Sequence, residues 1–198
     1  MGMTAEPAYR YFAHPRAPVV TMWRPDPGRC ELCERLLPGY EGSFYGERDC
    51  DFVCEECLLA GKLEAAGLST NDPDLAALRD QLREVEEPER SRLIEERTGE
   101  LKFRTPSLVT WQQLAWPACC GDFLRFEGEI GREEMDALAE GGSGWQWFLD
   151  HVRDELPKEF EASDLAPRAS NATEQWSLVA YHFRCLHCRR SAVLWDCD

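Results

Sequence analysis

Two pairs of cysteines in the first third of the chain have the spacing of a metal-binding site. Cys30 and Cys33 form one C-x-x-C pair, and Cys54 and Cys57 form another after an intervening stretch of twenty residues. Each pair can form a knuckle, a tight turn that directs two sulfur atoms at one ion. Because Zn²⁺ is tetrahedral and binds thiolates well, we expect these four cysteines to hold one zinc ion.

The alternatives for these cysteines are buried apolar thiols and disulfides. Disulfides are typical of exported proteins, yet residues 1–10 contain no apolar segment of the kind that a secretory signal requires. The ten cysteines of the chain therefore fit reduced cytosolic thiols with metal ligands among them. No stretch approaches the roughly eighteen consecutive apolar residues of a membrane span. We expect a cytoplasmic protein that does not insert into membranes.

A third C-x-x-C pair, Cys185 and Cys188, lies near the end of the chain between two stretches that we expect to be strands. It needs further ligands to hold a metal ion. The candidates are two adjacent cysteines in the middle of the chain and two residues closer to the pair: Cys119, Cys120, His187 and Cys197. Adjacent cysteines can bind one ion only with backbone strain. Binding by only one of Cys119 and Cys120 is therefore an alternative to binding by both.

A second zinc site through Cys119, Cys120, Cys185 and Cys188 would join the middle of the chain to its C-terminus. Its sulfur atoms would then lie under roughly 4 Å from one another. The rival interpretations are a redox dithiol and simple buried thiols. A thioredoxin-like pair belongs at the start of a helix, where its thiol pKa is lowered. A position between two strands therefore argues against redox chemistry.

Three aspartates lie close to cysteines in the sequence and could orient metal ligands: Asp122, Asp196 and Asp198. Ordinary surface carboxylates are the commoner role of such residues. None of the four histidines is paired by the sequence with an unligated cysteine, as nucleophilic Cys–His catalysis requires. No phosphate-binding glycine loop and no H-E-x-x-H motif occurs. The sequence therefore identifies no catalytic residues.

The charge balance restricts the partners of the protein. The chain has 22 basic and 37 acidic residues, a net charge of −15. Phosphate backbones repel such a protein unless its basic residues are gathered on one face, so we expect no nucleic-acid binding. The acidity favours solubility or a basic protein partner that is attracted electrostatically. Residues 133–164 are the most acidic stretch and the candidate for contact with that partner.

Helical and β-like patterns alternate around the cysteines. Helices are predicted to begin near residues 71, 88, 105, 132 and 143, from capping residues, prolines and apolar stripes. The second, third and fifth of these are expected to end at Gly99, Pro117 and Pro157. A hairpin is predicted at 39–46. Strands at 175–184 and 191–196 are predicted to flank the third C-x-x-C pair, as in half a zinc ribbon.

These elements together predict an α+β fold. Residues 1–65 would form a zinc-ribbon-like N-terminal module. Residues 66–198 would form a mixed region of helices and β-hairpins that is closed by the C-terminal C-x-x-C pair. One compact domain that includes both regions is the alternative.

Short motifs follow one another in order along most of the chain. They are Tyr11-Phe12-x-His14-Pro15, the first C-x-x-C pair, Gly39-Tyr40, Cys54-x-x-Cys57-Leu58-x-Ala60-Gly61, Arg104-Thr105-Pro106, Trp111-Gln112, Trp116, Cys120-x-Asp122, Phe183-x-Cys185-x-x-Cys188 and Trp195-Asp196. This series resembles the CbrC-like family of bacterial proteins, whose name comes from a member associated with colicin tolerance. Cys119 and Leu124 depart from the family pattern, which has a histidine and a cysteine there, so the resemblance carries over no second metal site.

We therefore expect a cytosolic, zinc-stabilised protein that is not an enzyme and acts by binding another protein. The resemblance implies a role in immunity or toxin tolerance, and the acidity agrees with it because inhibitors of basic toxin nucleases are often acidic. A metal- or thiol-dependent enzyme is the alternative. A stoichiometric basic partner would favour the first hypothesis, and a metal with a water-bearing coordination position would favour the second.

Overall fold

The computed structural model describes residues 8–42, 44–153, 155–169 and 178–197, without the side chains of Pro18 and Val19. Helices and strands are mixed along the chain, so the predicted α+β class is confirmed. The chain divides into two compact units. Unit 1 comprises Met1–Val109 with Ala115–Arg125, and unit 2 comprises Thr110–Leu114 with Phe126–Asp198. The domain division predicted after residue 65 stays a prediction.

Unit 1 contains a three-stranded antiparallel sheet that carries the first two C-x-x-C pairs. Its strands are β1 (Trp23–Arg29), β2 (Leu36–Glu41) and β4 (Phe52–Cys54), in the order β1-β2-β4. Gly39 of β2 lies opposite Cys54 of β4. A side chain at Gly39 would meet the carbonyl oxygen of Val53 at 2.3 Å, so only glycine permits this close approach of the two strands.

The hairpin predicted at 39–46 is wrong. The short strand β3 (Tyr45–Gly46) does not return along β2 but pairs with β5 (Leu68–Ser69). Glycines in such a stretch usually indicate turns. At Gly39 the glycine instead makes room for a neighbouring strand, which gives the same sequence signal for a different physical reason.

The rest of unit 1 consists of short helices and two-residue strands. The helices are α1 (Pro18–Thr21), α2 (Glu55–Leu59), α3 (Lys62–Ala65), α4 (Leu75–Gln81) and α5 (Glu89–Arg104). The strands are β6 (Asp72–Pro73), which pairs in parallel with β7 (Ala115–Trp116), and β8 (Ala118–Cys119), which pairs with β9 (Asp122–Phe123). Gly99 does not end α5, because a glycine inside a helix costs only about 1 kcal/mol.

The helix predicted from Thr105 to Pro117 is absent, and a buried amide explains why. Asn71 donates its side-chain N–H to the carbonyl of Pro106 at 2.9 Å and accepts from the backbone N–H of Leu108 at 3.0 Å. Thr70 donates its hydroxyl to the carbonyl of Thr105 at 2.8 Å. Since these backbone groups form hydrogen bonds with side chains outside the segment, they are not available for the bonds of a helix, and the segment is extended. Helix α4 begins instead after Asp74, whose carboxylate accepts from the N–H of Ala77 at 2.9 Å.

Unit 2 is built on a second three-stranded sheet with two helices packed against it. The strands are β10 (Arg125–Ile130), β11 (Leu178–Arg184) and β12 (Ser191–Cys197), in that order, and the helices are α6 (Arg132–Leu138) and α7 (Gly144–His151). A short 3₁₀ helix covers Ala162–Asp164. Strands β11 and β12 form an antiparallel hairpin, as the sequence predicted, although residues 175–177 of the predicted strand lie outside the described residues.

Helix α7 ends at His151, well before Pro157, which was its predicted end. Ser143 caps its start by accepting from the N–H of Gln146 at 3.3 Å, as predicted. At the other end the chain turns to the sheet edge. Val152 forms a bridge with Val193, and the N–H of Arg153 donates to the Val193 carbonyl at 3.0 Å. These bonds to β12 replace the next turn of the helix.

Side chains change direction within β10, so its residues pack on both faces of the sheet of unit 2. Phe126 packs against Phe183, with ring centroids 5.3 Å apart. Ile130, four residues later, lies instead in the core with Ala180, which is on the opposite face of β11. Regular alternation would put positions four apart on the same face. Gly128, at φ +145, lies between them and supplies the irregular backbone that the change requires.

None of the helices in the described ranges is long and apolar enough to cross a membrane.

Candidate metal centres

The first two C-x-x-C pairs come together in unit 1. The sulfur atoms of Cys30, Cys33, Cys54 and Cys57 all lie within 4.8 Å of one another. The Cys33 and Cys54 sulfurs are 3.7 Å apart. A tetrahedron with metal–sulfur bonds of about 2.3 Å has edges of about 3.8 Å. The donor set and its spacing therefore fit a tetrahedral ion such as Zn²⁺.

A knuckle turn between β1 and β2 positions Cys30 and Cys33. The N–H of Cys30 donates to the carbonyl of Arg35 at 2.9 Å, and the N–H of Glu34 donates to the carbonyl of Cys30 at 2.7 Å. Glu34 has φ +60, in the left-handed region. These bonds close the chain around the pair, so both sulfur atoms point to the same side.

The second pair is positioned by the junction of β4 and α2. Cys54 is the residue before the first turn of α2, and Cys57 is inside that turn. A strand followed directly by a helix thus directs both side chains to one point. This is a different turn from the one at Cys30–Cys33.

Burial and hydrogen bonding act differently on the four thiols. Cys30, Cys54 and Cys57 are buried, and Cys33 is half-buried. Burial raises the pKa of Cys57 to about 11 and raises the pKa of Cys54 as well. The backbone N–H of Arg35, together with its side chain, lowers the pKa of Cys33 to about 6. Since metal binding removes the remaining thiol protons, affinity should increase with pH.

A tight hairpin holds Cys119 and Cys120. Cys119 ends β8 and pairs with Asp122 of β9. The two residues of the turn, Cys120 and Gly121, have φ +54 and +71, the backbone signs of a type I′ turn. The strain expected for adjacent cysteine ligands is therefore present at Cys120. It brings the Cys119 and Cys120 sulfurs to 3.8 Å from each other.

The third C-x-x-C pair adopts the same knuckle as the first. The N–H of Cys185 donates to the carbonyl of Arg190 at 2.9 Å, and the N–H of Arg189 donates to the carbonyl of Cys185 at 3.2 Å. Arg189 has φ +62. Two further backbone N–H groups, those of His187 and Cys188, point at the Cys185 sulfur at 3.4 and 3.5 Å. This turn lies between two strands and differs from the helical start of a redox dithiol.

Cys119 and Cys120 belong to unit 1, and Cys185 and Cys188 belong to unit 2. The second zinc site through these four cysteines stays a prediction. Cys185 is buried and Cys119 half-buried, whereas Cys120 and Cys188 are exposed. His187 and Cys197, the other candidates, belong to neither cysteine group among the described residues. Cys197 instead accepts from the side-chain amide of Gln112, at 3.6 Å from its sulfur.

Two of the three aspartates near cysteines are buried hydrogen-bond acceptors. Asp122 accepts from Arg10 at 2.6 Å and from the hydroxyl of Tyr11 at 2.7 Å. Asp196 accepts from the backbone N–H groups of Trp111 and Gln112. Neither aspartate belongs to a candidate metal group among the described residues, and Asp198 lies outside those residues. The commoner surface role assumed from the sequence is therefore wrong for Asp122 and Asp196.

Arg35 is a feature of the first group that sequence reasoning missed. Its guanidinium pairs with Glu56, which lies between Cys54 and Cys57, and Arg35 lowers the pKa of the Cys33 thiol. The available signal was a basic residue two positions after a C-x-x-C pair. That signal is weak because surface arginines are common.

A family model described as an uncharacterised protein family, UPF0167, matches residues 7–197. The chain belongs to the UPF0167 family. It is 27% identical over 191 residues to the UPF0167 protein Mb2317 of Mycobacterium bovis, covering 92% of this chain and 88% of that protein. The UPF0167 protein PA1536 of Pseudomonas aeruginosa is 34% identical over 85 residues, 43% of each chain. No solved structure is significantly similar to this UPF0167 chain.

Proposed function

We propose that this UPF0167 protein binds one Zn²⁺ at the first cysteine group and a second at the predicted set Cys119, Cys120, Cys185 and Cys188, and that both ions are structural. The observation that carries the proposal is the first group, four thiols from two separate turns with sulfur atoms at tetrahedral spacing. Thiolates favour zinc over the harder Mg²⁺ and Ca²⁺, which prefer oxygen ligands. Four protein ligands leave no position for water, so the arrangement supports a structural role over a catalytic one.

Elemental analysis of protein purified without chelators tests this proposal. We expect two zinc ions per chain, and one fewer in each of the variants Cys33→Ser and Cys188→Ser. The control is Cys50→Ser, which removes a buried thiol that belongs to neither group. Less than one zinc per wild-type chain would contradict the proposal. A content of one that Cys188→Ser leaves unchanged would contradict the second group alone.

We further propose that the protein acts in the cytoplasm by binding a basic protein and does not bind nucleic acid. Thiolate sites persist in a reducing compartment, which supports this location. The acidic stretch 133–164 supplies the charge. Four of its exposed carboxylates make no ion pair with any described residue: Glu140, Glu155, Glu159 and Glu161. An acidic surface attracts a basic partner and accelerates its association.

A toxin-tolerance role is the finer form of this proposal. It is supported by the ordered motifs that resemble the CbrC-like family and by the net charge of −15, which suits an inhibitor of a basic toxin. The competing function is a metal- or thiol-dependent enzyme. A spectrum of the cobalt-substituted protein separates the two, because a tetrathiolate site and a site with a bound water differ in their ligand-field bands. A water ligand at either group would favour the enzyme.

A further inference from the structure

One ligand of the first cysteine group is accessible to solvent and three are not. Cys30, Cys54 and Cys57 have relative exposures of 0%, 0% and 1%. Cys33 is half-buried. An incoming reagent, whether a chelator, a second thiol or an electrophile, must reach a metal–sulfur bond from solvent. Only the bond to Cys33 offers it a path that does not require opening of the core.

Arg35 closes the turn that holds this accessible ligand, because its carbonyl accepts from the N–H of Cys30 at 2.9 Å. The Arg35 guanidinium pairs with Glu56 of α2. Because Glu56 lies between Cys54 and Cys57, this ion pair connects the first knuckle to the second pair on the exposed side of the group.

We propose that the first group exchanges its metal through Cys33, and that Arg35, held by Glu56, slows this exchange. The Arg35 guanidinium restricts the approach of a reagent from solvent, and a thiolate stabilised by a neighbouring cation is less nucleophilic. Removal of the guanidinium uncovers the sulfur and also removes the link between the two halves of the site. The inference rests on metal binding at this group, as proposed above.

The same geometry makes Cys33 the first of the four cysteines to be alkylated. In reaction with iodoacetamide, the sulfur attacks the methylene carbon, a carbon–sulfur bond forms and iodide leaves. The alkylated sulfur is a thioether without negative charge, so the metal loses one thiolate ligand. The three remaining cysteines then become reactive as the ion dissociates.

The test is residue-resolved alkylation of the zinc-loaded full chain, with iodoacetamide as the probe and peptide mass spectrometry at timed intervals. In the wild-type protein we expect Cys33 to react before Cys30, Cys54 and Cys57. Arg35→Ala should increase the Cys33 rate about three- to tenfold, the effect of losing one ordinary polar interaction at an exposed site. Glu56→Gln should give a smaller increase, because Arg35 then loses its anchor.

The matched control is Arg24→Ala. Arg24 also forms an exposed ion pair, with Glu41 at 2.7 Å, in the same sheet. It should leave the rate unchanged. Equal rates for Arg35→Ala and Arg24→Ala, or modification of a buried cysteine as early as Cys33, would overturn the inference. If the wild-type chain holds no zinc at this group by elemental analysis, the proposed function fails first and the inference fails with it.

Discussion

At the residue scale, both knuckles place a residue with a side chain where glycine is normally favoured. Glu34 and Arg189 have φ +60 and +62. A left-handed backbone costs an ordinary L-residue roughly 1–2 kcal/mol, because its Cβ crowds a carbonyl oxygen. The knuckle holds these residues there through the hydrogen bonds that close the turn. The strain is stored at the base of each candidate metal site.

Substitution of Glu34 should reveal that strain. We expect Glu34→Val to be less stable than Glu34→Gly by about 1–2 kcal/mol in the free energy of unfolding, because a β-branched side chain tolerates positive φ poorly. Urea unfolding of the zinc-loaded variants measures the difference. The same two substitutions at Glu47, an exposed residue without positive φ, should not favour glycine. Equal stability of the two variants at position 34 would contradict the expectation.

His182 should make the fold sensitive to acid. Burial lowers its pKa to about 4, with Arg184 and His151 adding to the effect and Glu127 opposing it. The folded protein therefore keeps the His182 imidazole neutral down to a low pH. In the unfolded chain the same imidazole becomes protonated as the pH falls through about 6.5, its ordinary pKa. The contribution of His182 is fully present above about pH 6.5 and decreases as the pH falls from 6.5 toward 4.

The comparison that isolates this effect is wild type against His182→Gln, an uncharged residue that can still bond Ser191. We expect the free energy of unfolding to fall more steeply between pH 6.5 and 4 in the wild type. Zinc loss at low pH affects both proteins, so the difference between the two curves reports on His182. The variant His14→Gln, at an exposed histidine, should follow the wild-type curve. Parallel curves for wild type and His182→Gln would refute the prediction.

At the scale of elements, a single side chain decides the conformation of the segment after α5. Asn71 is 7% exposed and bonds the carbonyl of Pro106 and the N–H of Leu108. Asn71→Ala should lower the free energy of unfolding by about 2–4 kcal/mol, because it leaves two buried backbone groups unpaired. Chemical denaturation measures the loss. Gln146→Ala, which removes an exposed amide, should change stability by less than about 0.5 kcal/mol.

The elements that were predicted correctly are those whose cause is local in sequence. The β11–β12 hairpin and the cap at Ser143 follow from residues a few positions apart. The four sulfur atoms of the first group also meet as the two C-x-x-C pairs suggest, because ligand chemistry restricts which residues can come together. The failures have distant causes. Asn71 prevents a helix by accepting from the N–H of Leu108, 37 positions later, and Asp196 binds a segment 85 residues before it. No periodic pattern of residues in the sequence indicates such distant contacts.

At the scale of the whole molecule, charge is distributed unevenly between paired and unpaired groups. Several arginines are neutralised locally, such as Arg92, which pairs with both Glu89 and Glu96. Three arginines near the third C-x-x-C pair have no ion pair with any described residue: Arg184, Arg189 and Arg190. Against a net charge of −15 they form a small basic set. The excess of unpaired carboxylates dominates the long-range field.

A partner should therefore be selected by the acidic stretch. We expect pulldown from a bacterial lysate to return a stoichiometric basic protein, and Glu155→Gln, Glu159→Gln and Glu161→Gln together to weaken its binding. The control makes the same change of charge elsewhere, at Glu47, Glu64 and Glu86. Equal loss of binding with the control triple would contradict this view.

A mobility-shift assay at about 150 mM salt should show no DNA or RNA binding. Submicromolar nucleic-acid binding would contradict that expectation.

The repeated knuckle has a consequence for recognition. Residues 30–35 and 185–190 share one backbone form, yet they differ at a variable position, the one after the second cysteine, which is Glu34 in the first and Arg189 in the second. The molecule thus displays the same small template twice with opposite electrical sign. A binder that reads main-chain shape should be unable to distinguish the two copies, whereas one that reads charge should choose between them. Exchange of the variable residues between the copies would transfer that choice while leaving all four cysteines in place.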